Sequence, residues 1–129
     1  MEMSAKKKIE GITERILKMI IESSKDAYPR EFAAGMREIE GVISELILVP
    51  GTISGPTSAI LKLHSLPIDY SIVGIVHSHP SPNVSPSQED LILFGKYGRV
   101  HIIIGLPYDM DSWQAYDWNG RQIELEVLK

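Results

Sequence analysis

Ile9, Ile12, Ile16, Leu17 and Ile20 recur at three- and four-residue steps near the start of the chain, while Lys7, Lys8, Glu14, Arg15 and Lys18 populate other faces. That period is the apolar stripe of an amphipathic helix. It predicts a helix over about residues 5–26, stopped by Pro29. Residues 31–36 then read as a short strand, and residues 42–49, a nearly unbroken apolar run closed by Pro50, as a buried one. Gly, Ser, Thr and Pro crowd residues 51–58, which read as a loop before a strand at 59–63. Ile, Val and Gly at 71–76 predict another buried strand. A loop dense in Pro and Ser, 80–86, leads to a short helix that Ser87 opens and that runs to about residue 96. β-branched residues mark a strand at 99–104. The last two strands, 113–118 and 121–128, join through Asn119-Gly120, a hairpin signal because both residues tolerate positive φ. Ile123, Leu125 and Val127 alternate with Gln122, Glu124 and Glu126, so one face of the last strand meets solvent. The sum is an α/β (α+β) fold: a mixed β-sheet flanked by one long N-terminal helix and one short helix.

Composition narrows the function. With 129 residues there is room for one core, and 43% apolar with 23% charged residues is globular composition rather than that of a disordered chain. A net charge of −4 and a pI near 5.5 leave no basic footprint for nucleic acid. The cationic run Lys6-Lys7-Lys8 reads as a solvated helix start. Cysteine is absent, which removes disulfides, thiolate zinc sites, thiol nucleophiles and iron–sulfur clusters. No segment approaches the ~20 apolar residues of a membrane helix. The N-terminus lacks the apolar region and cleavage site of a signal peptide, so a cytoplasmic protein is expected and the sequon at Asn83-Val84-Ser85 is a coincidence.

The chemistry concentrates in His77-Ser78-His79-Pro80 and Ser87-Gln88-Glu89-Asp90. Alternate residues of a strand share a face roughly 7 Å apart, so two imidazoles at a strand end can converge on one ion. Pro80 turns the chain away, and the loop can return to place Asp90 in the first turn of the next helix. Two His and one carboxylate are the three protein ligands of a catalytic zinc site, with a fourth position open to water. The same residues have a plain reading. Ser-x-x-Asp is close to a helix-capping box, and a His-x-His pair by itself is not diagnostic of a metal.

His-Ser-His-Pro, six residues, then Ser-x-x-Asp resembles the signature of the JAMM (MPN+, Mov34/MPN/PAD-1) zinc metalloproteases, in their compact prokaryotic or archaeal form. That signature also wants a glutamate well upstream, and Glu31 in Tyr28-Pro29-Arg30-Glu31-Phe32-Ala33 falls at the matching place. The resemblance covers essentially the whole chain, and it implies a single MPN domain over residues 1–129 with a cytidine-deaminase-like fold. It implies that His77, His79 and Asp90 ligate one Zn2+ per chain, that Glu31 is the general acid–base and that Ser87 donates to the oxyanion. Ser78, between the two His, points to the opposite face and reads as structural.

Other residues have ordinary readings. His64 reads as a loop histidine and His101 as a core or edge one, Glu10, Glu14, Glu38 and Glu40 as solvated, and Asp109, Asp111 and Ser112 as a turn. Trp113 and Trp118 read as packing residues, Trp113 also as a wall of a substrate groove. Each ligand imidazole should have an acceptor behind its other nitrogen.

The resemblance further implies a zinc-dependent isopeptidase of the deubiquitinase or desampylase type, cleaving after the Gly-Gly tail of a ubiquitin-like modifier. The tail would add as a strand to a sheet edge, with residues 51–58 ordering around it. Expected partners are a small archaeal or bacterial ubiquitin-like modifier and its conjugates, with a homodimer left open. The alternatives are a metallohydrolase acting on a sulfur-carrier protein or small peptide, a RadC-like protein, and an interaction module that has lost its ligands. All four positions are present, against the last. A nucleobase deaminase needs Pro-Cys-x-x-Cys, which a chain without Cys cannot supply.

Overall fold

A computed structural model describes residues 8–48 and 71–129. The elements run β1 (Gly11–Thr13), α1 (Glu14–Ala27), β2 (Ala33–Ile39), β3 (Val42–Leu48), β4 (Gly74–Ser78), α2 (Gln88–Tyr97), β5 (Val100–Ile104), β6 (Trp113–Asp117), β7 (Gln122–Ile123) and β8 (Glu126–Leu128). The strand expected at 59–63, the loop at 51–58 and His64 lie outside the described residues. Among the described residues no helix is long and apolar enough to cross a membrane.

The strands form one mixed sheet in the order β7-β6-β5-β4-β2-β3-β1-β8. β7 and β8 sit at opposite ends of that order, yet only Glu124 and Leu125 separate them in sequence. Three chain steps span about 11 Å at most. The sheet therefore curls until its two ends nearly meet. Its interior holds Ile12, Ile16, Leu17, Ile20, Met36, Ile43, Val76, Ile102 and Ile104 in one apolar cluster.

The apolar stripe of α1 is buried as expected, but the helix begins at Glu14. Ile9 and Ile12 belong to the extended segment before it, with Ile12 in β1. Thr13 sets the boundary: its backbone is extended and its hydroxyl accepts the N–H of Ile16 at 3.1 Å, a helix N-cap. Gly11 makes the strand possible, since a Cβ there would stand 2.8 Å from the carbonyl oxygen of Glu126 in β8. The strand expected at 31–36 runs instead over Ala33–Ile39, and that at 71–76 over Gly74–Ser78, so His77 and Ser78 are in the sheet.

The C-terminal hairpin also differs. Its loop has three residues, Trp118-Asn119-Gly120, closed by the Asp117 N–H on the Arg121 carbonyl at 2.8 Å, and only Gly120 takes positive φ (81°). Trp118 is thus a loop residue, 61% exposed rather than packed. The last strand breaks after Ile123 and crosses to pair parallel with β1. The break shifts the alternation, so Val127 faces outward and Leu128 is half-buried.

Candidate metal centre

β2 and β4 pair antiparallel, with Ala33 opposite His77. Carried two residues further, the same register sets Glu31 opposite His79, beyond the ends of both strands. Alternation then puts Glu31, Ala33, His77 and His79 on one face. Ala33 and Ile75 pack on Leu93 and Tyr97 of α2. Asp90, Leu93, Phe94 and Tyr97 form the buried stripe of that helix, so Asp90 is the first-turn continuation of the stripe that docks α2 on the sheet. Burying Leu93 and Phe94 contributes on the order of 2–3 kcal/mol each, and that docking carries Asp90 to the histidines.

The three side chains meet. His77 Nε2 lies 3.0 Å from Asp90 Oδ1, His79 Nε2 lies 3.2 Å from Asp90 Oδ2, and the two Nε2 atoms are 3.2 Å apart. Metal–ligand bonds of about 2.0–2.1 Å give a zinc tetrahedron an edge of about 3.3 Å, close to the separation of the two Nε2 atoms, while the carboxylate faces the two rings with different oxygens and one ligand atom from each residue lies within 4.8 Å of the others. The protonation chemistry fits as well. His79 Nδ1 faces the Asn83 carbonyl at 2.8 Å, and a carbonyl only accepts, so Nδ1 carries the hydrogen. His79 Nε2 then faces an Asp90 oxygen and His77 Nε2: it donates to the carboxylate when the ring is protonated, and presents a lone pair to a cation when the ring is neutral. His77, His79 and Asp90 can hold a metal ion.

Each group is braced. Ser87 and Asp90 form a complete capping box: the Ser87 N–H donates to Asp90 Oδ2 at 2.9 Å, and the Asp90 N–H donates to Ser87 Oγ at 3.0 Å. The capping reading and the ligand reading of Ser-x-x-Asp are thus both realised in one geometry. The cap uses a lone pair of the exposed Ser87 hydroxyl and leaves its hydrogen free to donate. The expectation of an acceptor behind each imidazole holds for His79 and fails for His77, whose buried Nδ1 meets no partner among the described residues. Ser78 is fully buried and structural, as expected: its Oγ accepts the Phe32 N–H at 2.8 Å.

The charges are mutually adjusted. Burial works against ionised Asp90, but its hydrogen bonds to His77 and His79 prevail and hold the carboxyl well below the usual carboxylate range. Burial also opposes charge on His79, yet Asp90 and the Asn83 carbonyl raise its pKa. Glu31 is not one of the three ligand residues, and it lies within electrostatic reach of all three. Burial, ahead of the opposing attraction of His77 and His79, pushes its pKa up.

The remaining residues sort simply. His101 is core: Nδ1 accepts the Ile75 N–H at 3.1 Å, Nε2 donates to the Gly98 carbonyl at 3.0 Å, and the ring stacks on Phe94. Glu38 is half-buried rather than solvated, and its carboxylate accepts the Gly41 N–H at 2.7 Å in the β2–β3 turn. Asp109, Asp111 and Ser112 form the expected turn. Trp113 packs against the main core. Sequence reasoning missed Tyr108, whose hydroxyl donates to the His79 carbonyl at 2.8 Å. The preceding Gly-Leu-Pro marks a turn but carries no sign of which side chain turns inward.

Two His and one Asp, gathered where a mixed sheet meets a helix N-terminus, make a candidate site for one metal ion. The model of the prokaryotic homologs of the JAB domain matches residues 13–116. The chain is 36% identical over 138 residues to a probable metalloprotease of Haloferax volcanii, covering 99% of this chain and 85% of that protein. Among solved structures it is similar to a JAB1/MPN domain protein from Archaeoglobus fulgidus, with TM-score 0.74, 38% identity and coverage of 93% and 97%. A structure described as a JAMM metalloprotease-like zinc site in the proteasome and signalosome is similar too, with TM-score 0.73, 38% identity and coverage of 94% and 99%. The chain belongs to the JAMM/MPN+ zinc metalloprotease family, among the prokaryotic homologs of the JAB domain.

Proposed function

We infer that this chain is a zinc-dependent isopeptidase, one catalytic domain that cleaves after the C-terminal Gly-Gly tail of a ubiquitin-like modifier. The observation that carries the reading is the convergence of His77, His79 and Asp90, with the half-buried carboxylate of Glu31 on the same face. His77 and His79 through Nε2, and Asp90 through its carboxylate, would hold the ion. When bound, zinc supplies Lewis acidity toward the scissile carbonyl and a water that ionises near neutral pH.

The other steps belong to the side chains. Glu31 takes the proton of the attacking water on its carboxylate and returns it to the departing lysine amine. Its raised affinity for a proton suits a group that must both accept and release one. Ser87 offers its hydroxyl hydrogen to the oxygen that becomes an oxyanion, while the cap holds that hydroxyl in place. Ser87 is exposed and Glu31 half-buried, and the proposed substrate reaches them as an extended tail whose terminal glycines carry no side chains.

Incubation of the zinc-loaded protein with a small ubiquitin-like modifier joined to lysine, with and without a chelator, tests the assignment. Release of free modifier that the chelator abolishes is expected. Chelator-insensitive cleavage contradicts the mechanism. Cleavage only of a modifier–cysteine adduct or of short peptides moves the substrate to the sulfur-carrier or peptide class.

A further inference from the structure

α2 turns Asp90, Leu93, Phe94 and Tyr97 toward the fold and leaves its other face to solvent. On that outward face Ile92 is 67% exposed and Leu91 41%. At 3.6 residues per turn, Ile92 and Gly95 lie at its centre, Leu91 on one flank, and Glu89 and Lys96 together on the other. The apolar surface continues beyond the helix. A Cβ on Gly120 would collide with Leu91 Cδ2, so the hairpin loop stands against the Leu91 flank, and the same loop carries the exposed Trp118. Neighbouring apolar side chains left in water in this way mark a surface that another molecule covers.

Gly95 points in the same direction. Glycine inside a helix weakens it, because it surrenders more backbone freedom on folding than any other residue. Here the fold has no use for it. Gly95 does not take a positive φ, and a Cβ at this position would meet nothing within 4 Å. The missing side chain matters only to something outside the chain, to which it offers a notch one turn from the projecting Ile92.

We propose that this face is a self-association surface, on which α2 of a second copy of this chain packs antiparallel about a two-fold axis. The patch is complementary to itself. Because Ile92 and Gly95 are one turn apart, an antiparallel partner seats each Ile92 in the other copy's Gly95 notch, one contact made twice. Glu89 and Lys96 share a flank and stand two turns apart, about 10 Å along the axis. The same register brings each Glu89 within a turn of the other copy's Lys96, acid toward base at both ends. A parallel pairing would instead set the charged flank against Leu91. Asp90 lies on the sheet-facing side of the helix, so self-association and metal uptake are separate readouts. One helix face and a loop make a small interface, and a dissociation constant in the micromolar range is expected.

Sedimentation of the full chain across a concentration series tests the proposal. The wild type should pass from monomer to dimer. Glu89→Lys and Lys96→Glu should each weaken the dimer about tenfold, and the two together should restore it, since residues two turns apart on one helix have no contact to exchange within the chain. Gly95→Gln should raise the denaturation midpoint of the dilute monomer, where a better helix former replaces glycine, and yet weaken the dimer about tenfold. A purely structural role for Gly95 would move both readings in the same direction. A wild type that stays monomeric to about 1 mM overturns the proposal. So does a dimer that neither charge reversal nor Gly95→Gln disturbs, or one that the double reversal fails to restore. If Glu89→Lys does not fold, Lys96→Glu and Gly95→Gln with wild-type association overturn it equally. A monomer whose affinity for a ubiquitin-like modifier falls in Ile92→Glu gives the face to the modifier instead.

Discussion

Ser87 and Asp90 exchange backbone and side-chain hydrogen bonds in both directions, 2.9 Å one way and 3.0 Å the other, and so hold the carboxylate of Asp90 toward His77 and His79. One local motif closes the helix N-terminus and aims a ligand. Ser87→Ala removes the cap and the hydroxyl donor together. Loss of the cap should lower stability by about 1 kcal/mol. Loss of the oxyanion donor should lower kcat on the order of 100-fold. Chemical denaturation and steady-state kinetics on the same preparation separate the two; a large stability loss with near-normal kcat assigns Ser87 to capping alone.

Glu31 lies beside the three donors without belonging to them. Glu31→Gln should therefore retain zinc, measured by elemental analysis, while turnover falls by 10²- to 10⁴-fold. A fully active variant removes Glu31 as the acid–base group, and a variant stripped of zinc makes it a ligand.

His101, outside the three ligand residues, supplies a pH signature of its own. Burial, aided by His77, pushes its pKa down to about 4 from an ordinary 6.5, against the pull of its backbone hydrogen bonds and Asp117. The folded protein keeps this ring neutral while the unfolded chain protonates it. Its contribution to stability is therefore complete above pH 6.5 and disappears as pH falls toward about 4, a loss of about 3 kcal/mol. His101→Gln retains an acceptor for the Ile75 N–H and a donor for the Gly98 carbonyl. The variant should lose correspondingly less stability than the wild type across that range. Parallel stability curves from pH 7 to 4 would show that His101 does not titrate in this way.

How far the sequence could be read depends on the length scale of each interaction. The donors were legible because their placement is local: strand alternation aligns His77 with His79, and one turn of helix carries both Ser87 and Asp90. The stripe of α1 was legible as burial but not as a helix boundary, because Ile9 and Ile12 fit the helical period while Thr13 and the approach of β8 at Gly11 decide otherwise. The crossing of β8 to β1 is a pairing between the two ends of the chain, which no local period encodes. Tyr108 was invisible for the same reason, since its hydroxyl finds its partner at His79 across two loops.

Zinc titration of the metal-free protein against a chromophoric chelator bears most directly on the metal centre. Tight binding of one zinc per chain is expected in the wild type, with affinity lowered by orders of magnitude in His79→Ala and Asp90→Ala. Equal zinc affinity in all three proteins, or no uptake by the wild type, would contradict a site built from His77, His79 and Asp90.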